Sequence, residues 1–177
     1  EICACLVGSE MCIRDRSHPI ALLGAGESSD AYHMSSPEPH GKGAEGAIRR
    51  ALSNANLTPD EIDYLNLHGT GTPQNDAAEC EAVYRVFGDK VLVSSTKPLT
   101  GHTLGAAGIT DALLAILTLC SPVTLPAQLR DSTKIDPQLA TVNWVKKATR
   151  VAPKRVMSNN FAFGGNNTSL IFGSIQD

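Results

Sequence analysis

Three short stretches of this chain combine reactive side chains with glycine: His68-Gly-Thr-Gly-Thr-Pro73, Thr96-Lys97-Pro-Leu-Thr-Gly-His102 and Asn159-Asn-Phe-Ala-Phe-Gly-Gly-Asn166. Imidazole can offer an N–H or a lone pair near neutral pH, lysine brings a fixed positive charge, and glycine lets backbone approach a ligand closely. The first two stretches each follow an apolar run and precede an amphipathic one. Each histidine is therefore expected where a strand hands over to a helix, on the rim where open α/β sheets bind ligands. His68, His102, Lys97 and the glycine-flanked Phe163 are expected to converge on one pocket. Each piece alone says little. Gly69-Thr-Gly-Thr-Pro73 lacks the Gly-Lys-Ser/Thr ending of a phosphate cradle, a lone histidine after a strand is commonly structural, Lys97 alone reads as a solvated charge, and Gly164-Gly165 alone reads as a turn.

The elements that must position these loops follow from periodicity. Pro19 to Ala25 reads as a short buried strand, and Gly26 to Gly43 as a loop rich in Ser, Pro, His and Gly. Ala44, Ala47, Ile48, Ala51 and Leu52 recur at helical spacing and predict a helix over residues 43–54. Thr58-Pro59-Asp60-Glu61 carries an N-cap, a proline at the first helical position and acids in the first turn. Residues 62–67 then read as a strand. Asp76 is expected to cap a helix over 77–87, ended by Gly88. A strand over 91–95 and a helix over 103–119 come next. Further strands are expected over 123–126, 141–144, 155–159 and 168–172, the last two joined as a hairpin-like return. The alternation of strand and helix predicts an α/β domain, a mixed sheet with helices packed against it.

Bulk properties narrow the function. At 177 residues the chain suits one domain with a real core. A net charge of −3 gives no basic footprint for nucleic acid. No apolar run reaches the roughly 18–20 residues that span a bilayer. The longest, Ile109 to Cys120, contains Asp111 and reads as a buried helix. Five cysteines and no signal peptide predict free thiols in the cytoplasm. Cys3-Ala-Cys5 has no second Cys/His pair at ligand spacing, so no metal is expected. Glu1 to Arg16 crowds in three of the cysteines without a clear period and resembles adapter read-through joined to a gene fragment. It is read as a non-native leader, with an irregular N-terminal strand as the alternative, and 17–177 as the domain.

From Ser28 onward the chain resembles the C-terminal half of the β-ketoacyl-ACP synthases, condensing enzymes of the thiolase-like fold. The resemblance rests on Ser28-Ser-Asp-Ala-Tyr-His-Met34, His68-Gly-Thr-Gly-Thr-Pro-Gln-Asn-Asp76, Ser95-Thr-Lys-Pro-Leu-Thr-Gly-His-Thr-Leu-Gly-Ala-Ala-Gly108 and Ser158-Asn-Asn-Phe-Ala-Phe-Gly-Gly-Asn166, all in order. It implies one αβα half of the five-layered thiolase-like architecture. The implied activity is decarboxylative Claisen condensation of a cysteine-bound acyl chain with malonyl-ACP, in fatty acid or related polyene or polyketide synthesis.

The resemblance also implies roles. His68 and His102 would aim ring N–H groups at the thioester oxygen, where a donor is worth about 10²–10³ in rate, and Lys97 would hold that network and keep a histidine neutral. Phe163 would give a backbone N–H to an oxyanion hole and, with Phe161, Gly164 and Gly165, form a mobile gate. Thr70, Thr72 and Ser35 would bind the phosphopantetheine arm. Asp111 stands where relatives usually carry Glu. Being one methylene shorter, it is expected to reach Lys97 through water or with a weakened ion pair.

No cofactor is implied beyond the phosphopantetheine of the acyl carrier protein. That carrier, the N-terminal half of the same enzyme and a second copy of the full-length enzyme are the implied partners. The family's nucleophile, a cysteine at a helix N-terminus with a lowered pKa, has no counterpart here. Cys80 and Cys120 fall inside predicted helices. The chain alone is therefore expected to be inactive. The alternative is a non-catalytic partner subunit resembling a chain-length factor, against which both histidines and Lys97 count. A thiolase is disfavoured, because thiolases usually pair a histidine with a second cysteine in this half.

Overall fold

The computed structural model describes residues 20–125, 127–128 and 135–174. The expected leader, with Cys3, Cys5 and Cys12, lies outside the described residues, as does Pro126. Among the described residues the strands are β1 (Ile20–Ser29), β2 (Tyr64–Asn66), β3 (Leu92–Ser94), β4 (Val123–Leu125), β5 (Asn143–Trp144), β6 (Thr149–Val151), β7 (Arg155–Ala162) and β8 (Asn166–Ser174). The helices are α1 (Lys42–Ala55), α2 (Pro73–Phe87), the single-turn α3 (Lys97–Thr100) and α4 (Ala107–Cys120). No helix among them is long and apolar enough to cross a membrane.

Six strands form one sheet in the order β1-β8-β7-β2-β3-β5. The block β7-β2-β3-β5 is parallel, while β8 runs antiparallel to both β7 and β1. The sheet is thus mixed, as predicted. Both faces are covered, because adjacent residues of one strand enter different cores. Leu65, Met157 and Ile171 pack with α1 and α2, whereas their neighbours Tyr64, Val156 and Phe172 pack with α4. This is why the strands read as continuous apolar runs and not as alternation. Each such buried side chain stabilises the fold by roughly 1.5–3 kcal/mol.

Several boundaries differ from expectation. Strand β1 continues through Gly26 to Ser29, where it pairs with Ser169 to Asn166 of β8. Its glycines are there for helix packing: a Cβ at Gly26 would fall 2.1 Å from the Ala47 carbonyl of α1, and one at Gly24 would fall 2.4 Å from that of Ala51. Helix α2 starts a turn early, at Pro73, and Asp76 sits in its first turn, where its carboxylate accepts the Gly71 N–H at 3.3 Å. The helix expected from Thr103 starts at Ala107, after one 3-10 turn at Leu104–Ala106. Strand β6, which pairs with β4 in a separate two-stranded sheet, was not foreseen. The turn at Thr58 has the predicted proline and acids in its first turn and adds a capping box, with the Thr58 N–H donating to Glu61 at 2.9 Å.

Helix α4 is apolar on two sides. Ala107, Ala112 and Ala115 face the sheet, while Ile109, Leu113 and Leu117 at i, i+4 spacing remain 62%, 52% and 55% exposed.

Candidate active site

The ends of β2 and β3 bring His68, His102 and Lys97 together, and β7 adds Phe161 in place of the expected Phe163. His68 follows β2 and is buried; His102 follows α3 and is exposed. Their ring centroids are 5.4 Å apart with planes at 87°, and Phe161 stands 6.0 Å from His68 in an edge arrangement.

The backbone around each histidine is fixed. Leu104 adopts a left-handed conformation, φ 52°, and its N–H donates to His102 Nδ1 at 3.2 Å. Because Nδ1 accepts, the ring proton sits on Nε2, free to donate. His68 is held through its main chain. The N–H groups of His68 and Gly69 each donate to one oxygen of Glu79 at 2.8 Å, and Gly69 takes the left-handed φ of 45° that this turn requires. Burial first, then the positive charge of Lys97, push the His68 ring down to about 3, so it is neutral at pH 7.

Lys97 is not a solvated charge. Its side chain is 5% exposed and donates from Nζ to Asp111 Oδ2 at 2.5 Å, while Thr96 Oγ1 donates to Asp111 Oδ1 at 2.9 Å. The expectation that the shortened acid reaches Lys97 through water or with a weakened ion pair is therefore corrected: α4 brings the carboxylate close enough for direct pairing.

Phe163 lies on the 3-10 turn Phe163–Gly165 and is 76% exposed, while Phe161 carries the ring contact with His68. Gly164 and Gly165 have φ of 82° and 75°. The turn is tied to the preceding loop, because the Gly164 N–H donates to the Met34 carbonyl at 2.8 Å and the Asp30 N–H to that of Gly165 at 2.8 Å. Ser35 follows Met34 and is exposed, its hydroxyl 3.4 Å from His33 Nδ1. Thr70 and Thr72 follow His68 on its loop with their hydroxyls 2.9 Å apart. Among the described residues no group of three or more His, Cys, Asp or Glu is placed to hold a metal ion.

Cys80 and Cys120 are free, with Cys80 buried and its thiol pushed up to about 12 by burial. Cys80 lies midway along its helix and Cys120 ends its own, both away from the N-terminal ends that stabilise a thiolate.

Sequence reasoning missed Glu79. Its signal was a charged residue on the same helical stripe as Asn75, Ala78, Ala82 and Val83. Burial pushes its carboxyl up to about 7, against the N–H bonds from Gly69 and His68. Since the folded value exceeds the ordinary 4.5, its share of stability is present below about pH 4.5 and is lost as pH rises to about 7. His68 has the opposite sign: its share is present above about 6.5 and lost as pH falls towards about 3. Glu79→Gln removes only the first effect. Variant stability minus wild-type stability is expected to grow by roughly 3 kcal/mol between about pH 4.5 and pH 7.5, at about 1.4 kcal/mol per pKa unit. Urea denaturation at the two pH values checks this. A constant difference would show that the carboxyl is solvated.

The domain is thus a mixed sheet between helix layers, with two histidines beside a buried lysine–carboxylate pair at its strand ends. The family model described as "Beta-ketoacyl synthase, C-terminal domain" matches residues 20–129, and the chain belongs to this family. It is 40% identical over 160 residues to the 3-oxoacyl-[acyl-carrier-protein] synthase 2 of Vibrio harveyi, covering 88% of this chain and 38% of that protein. It is 41% identical over 162 residues to the mitochondrial 3-oxoacyl-[acyl-carrier-protein] synthase of Arabidopsis thaliana, covering 87% of this chain and 34% of that protein. A ketosynthase from Xenorhabdus doucetiae, solved in complex with its chain length factor, superimposes with a TM-score of 0.85 at 52% identity, covering 90% of this chain and 40% of that one. A β-ketoacyl synthase from Burkholderia phymatum gives 0.80 at 38% identity, covering 88% of this chain and 37% of that one. The chain thus spans about two fifths of the length of these relatives.

Proposed function

We propose that this chain supplies the decarboxylating part of a 3-oxoacyl-[acyl-carrier-protein] synthase site. In the complete enzyme a malonyl thioester loses carbon dioxide, and the resulting enolate attacks an acyl chain held as a thioester on a cysteine. That attack forms the carbon–carbon bond and releases the cysteine thiolate. The observation that carries this reading is the His68–His102 ring pair, 5.4 Å between centroids, beside the buried Lys97–Asp111 ion pair. His102 Nε2–H donates to the thioester oxygen as negative charge develops there. The neutral His68 ring adds no competing positive charge. Thr70, Thr72 and Ser35 offer hydroxyls to the amides of the phosphopantetheine arm, and Phe163 with its glycines forms the movable edge of the site. The reaction consumes no cofactor of the protein's own, because the phosphopantetheine belongs to the acyl carrier protein. The enzyme works in the cytoplasm as a homodimer.

The chain alone, supplied with acyl-ACP and malonyl-ACP, is expected to give no β-ketoacyl product, because neither Cys80 nor Cys120 is placed as a thiolate. Its Ile109, Leu113 and Leu117 stripe is expected to cause self-association, as large exposed apolar patches do. Product mass spectrometry and light scattering check both expectations. Condensation turnover by a monodisperse chain would overturn this reading and place the nucleophile among the cysteines present.

A further inference from the structure

Asn160 has no part in the function proposed above, yet its side chain reaches the reacting end of β7. Among the described residues four buried side-chain polar atoms have no hydrogen-bond partner: Trp144 Nε1, Ser158 Oγ, His68 Nδ1 and the side-chain oxygen of Asn160, of which the last two concern the histidine pair. They belong to interacting groups, since the Asn160 amide favours a proton on the His68 ring, against the effects of burial and of Lys97. The amide is also packed from behind. A Cβ at Gly108, in the first turn of α4, would lie 3.7 Å from Asn160 Cγ and 3.9 Å from its oxygen. Asn160 thus sits between the His68 ring and the start of α4, and a bulkier residue at 108 would crowd it. An unpaired buried polar atom costs about 1–3 kcal/mol, so two orphans in one place point to each other.

We infer that Asn160 is a positioning residue that fixes the ring proton of His68 on Nδ1, by accepting Nδ1–H at its side-chain oxygen. A carbonyl oxygen can only accept, so the ring nitrogen facing it must carry the hydrogen. His68 Nε2 then bears a lone pair. The two histidines are not equivalent, in contrast to the expectation that both donate. His102 meets the substrate as a donor through Nε2–H, and His68 meets it as an acceptor suited to an amide N–H or a thiol S–H. The inference concerns the same site as the proposed condensation, but its test reads the ring itself and stands or falls separately from turnover.

The test is 15N NMR of the full chain labelled at its histidine ring nitrogens. The sequence has five histidines, so the His68 signals are assigned by their loss in His68→Gln. Wild type is expected to show a protonated-type shift at His68 Nδ1 and a bare-nitrogen shift at Nε2. Asn160→Leu, similar in size without an acceptor, is expected to lose the protonated shift at Nδ1. Asn160→Asp, which still accepts, is expected to keep it. A wild-type proton on Nε2 overturns the inference. So does a tautomer shared by wild type and the folded leucine variant, or loss of the Nδ1 proton in the aspartate variant.

Discussion

Asp111→Ala is expected to destabilise the fold by about 3–5 kcal/mol, the usual result of removing one partner from a buried ion pair. The Lys97 ammonium has 5% of its side chain exposed and one carboxylate partner at 2.5 Å. Once Asp111 is truncated, that charge stays in a low-dielectric site with nothing to balance it. The Thr96 hydroxyl loses its acceptor as well. Asp111→Ala combined with Lys97→Met is expected to recover most of the loss, because replacing a buried pair by apolar groups of similar volume is often neutral. Chemical denaturation of the single and double variants decides the matter. A single-variant loss below about 1 kcal/mol would mean that water reaches Lys97, restoring the bridged arrangement expected from the shorter acid.

In the complete enzyme, His102→Ala is expected to slow malonyl decarboxylation by about 10²–10³, the effect of removing one preorganised donor from a developing oxyanion. The Leu104 N–H holds Nδ1 at 3.2 Å, so Nε2–H is in place before the substrate arrives. The loss should fall on the rate of carbon dioxide release more than on substrate binding, since the donor matters most when the charge has formed. Labelled malonyl-ACP with carbon dioxide capture measures this directly. An unchanged rate would remove His102 from the chemistry and leave it as a surface residue, which its exposure alone would suggest.

The sequence revealed what repeats and what is chemically unusual. Helical spacing located α1 within a residue or two, and the apolar runs located β2 and β3. The glycine-flanked histidines located the site. It concealed features that depend on a distant neighbour. Gly26 read as the start of a loop because glycine commonly marks one, whereas here it lets β1 and α1 approach closely. Glu79 was not singled out, because its partners are backbone N–H groups ten and eleven positions away. Asn160 lay inside a recognised motif and gave no sign of its own, because its relation to His68 spans two strands. Strand β6 has only three residues and no period to detect.

Leu104, 70% exposed, contributes through its backbone and not through its side chain. Its left-handed φ of 52° costs an ordinary side chain on the order of 1–3 kcal/mol. What the chain gains in exchange is one N–H aimed at His102 Nδ1. Tolerance at this position should therefore follow a residue's ease with positive φ, so that glycine and asparagine fit here while valine and isoleucine do not. A substitution table based on hydrophobicity would rank these residues in the opposite order.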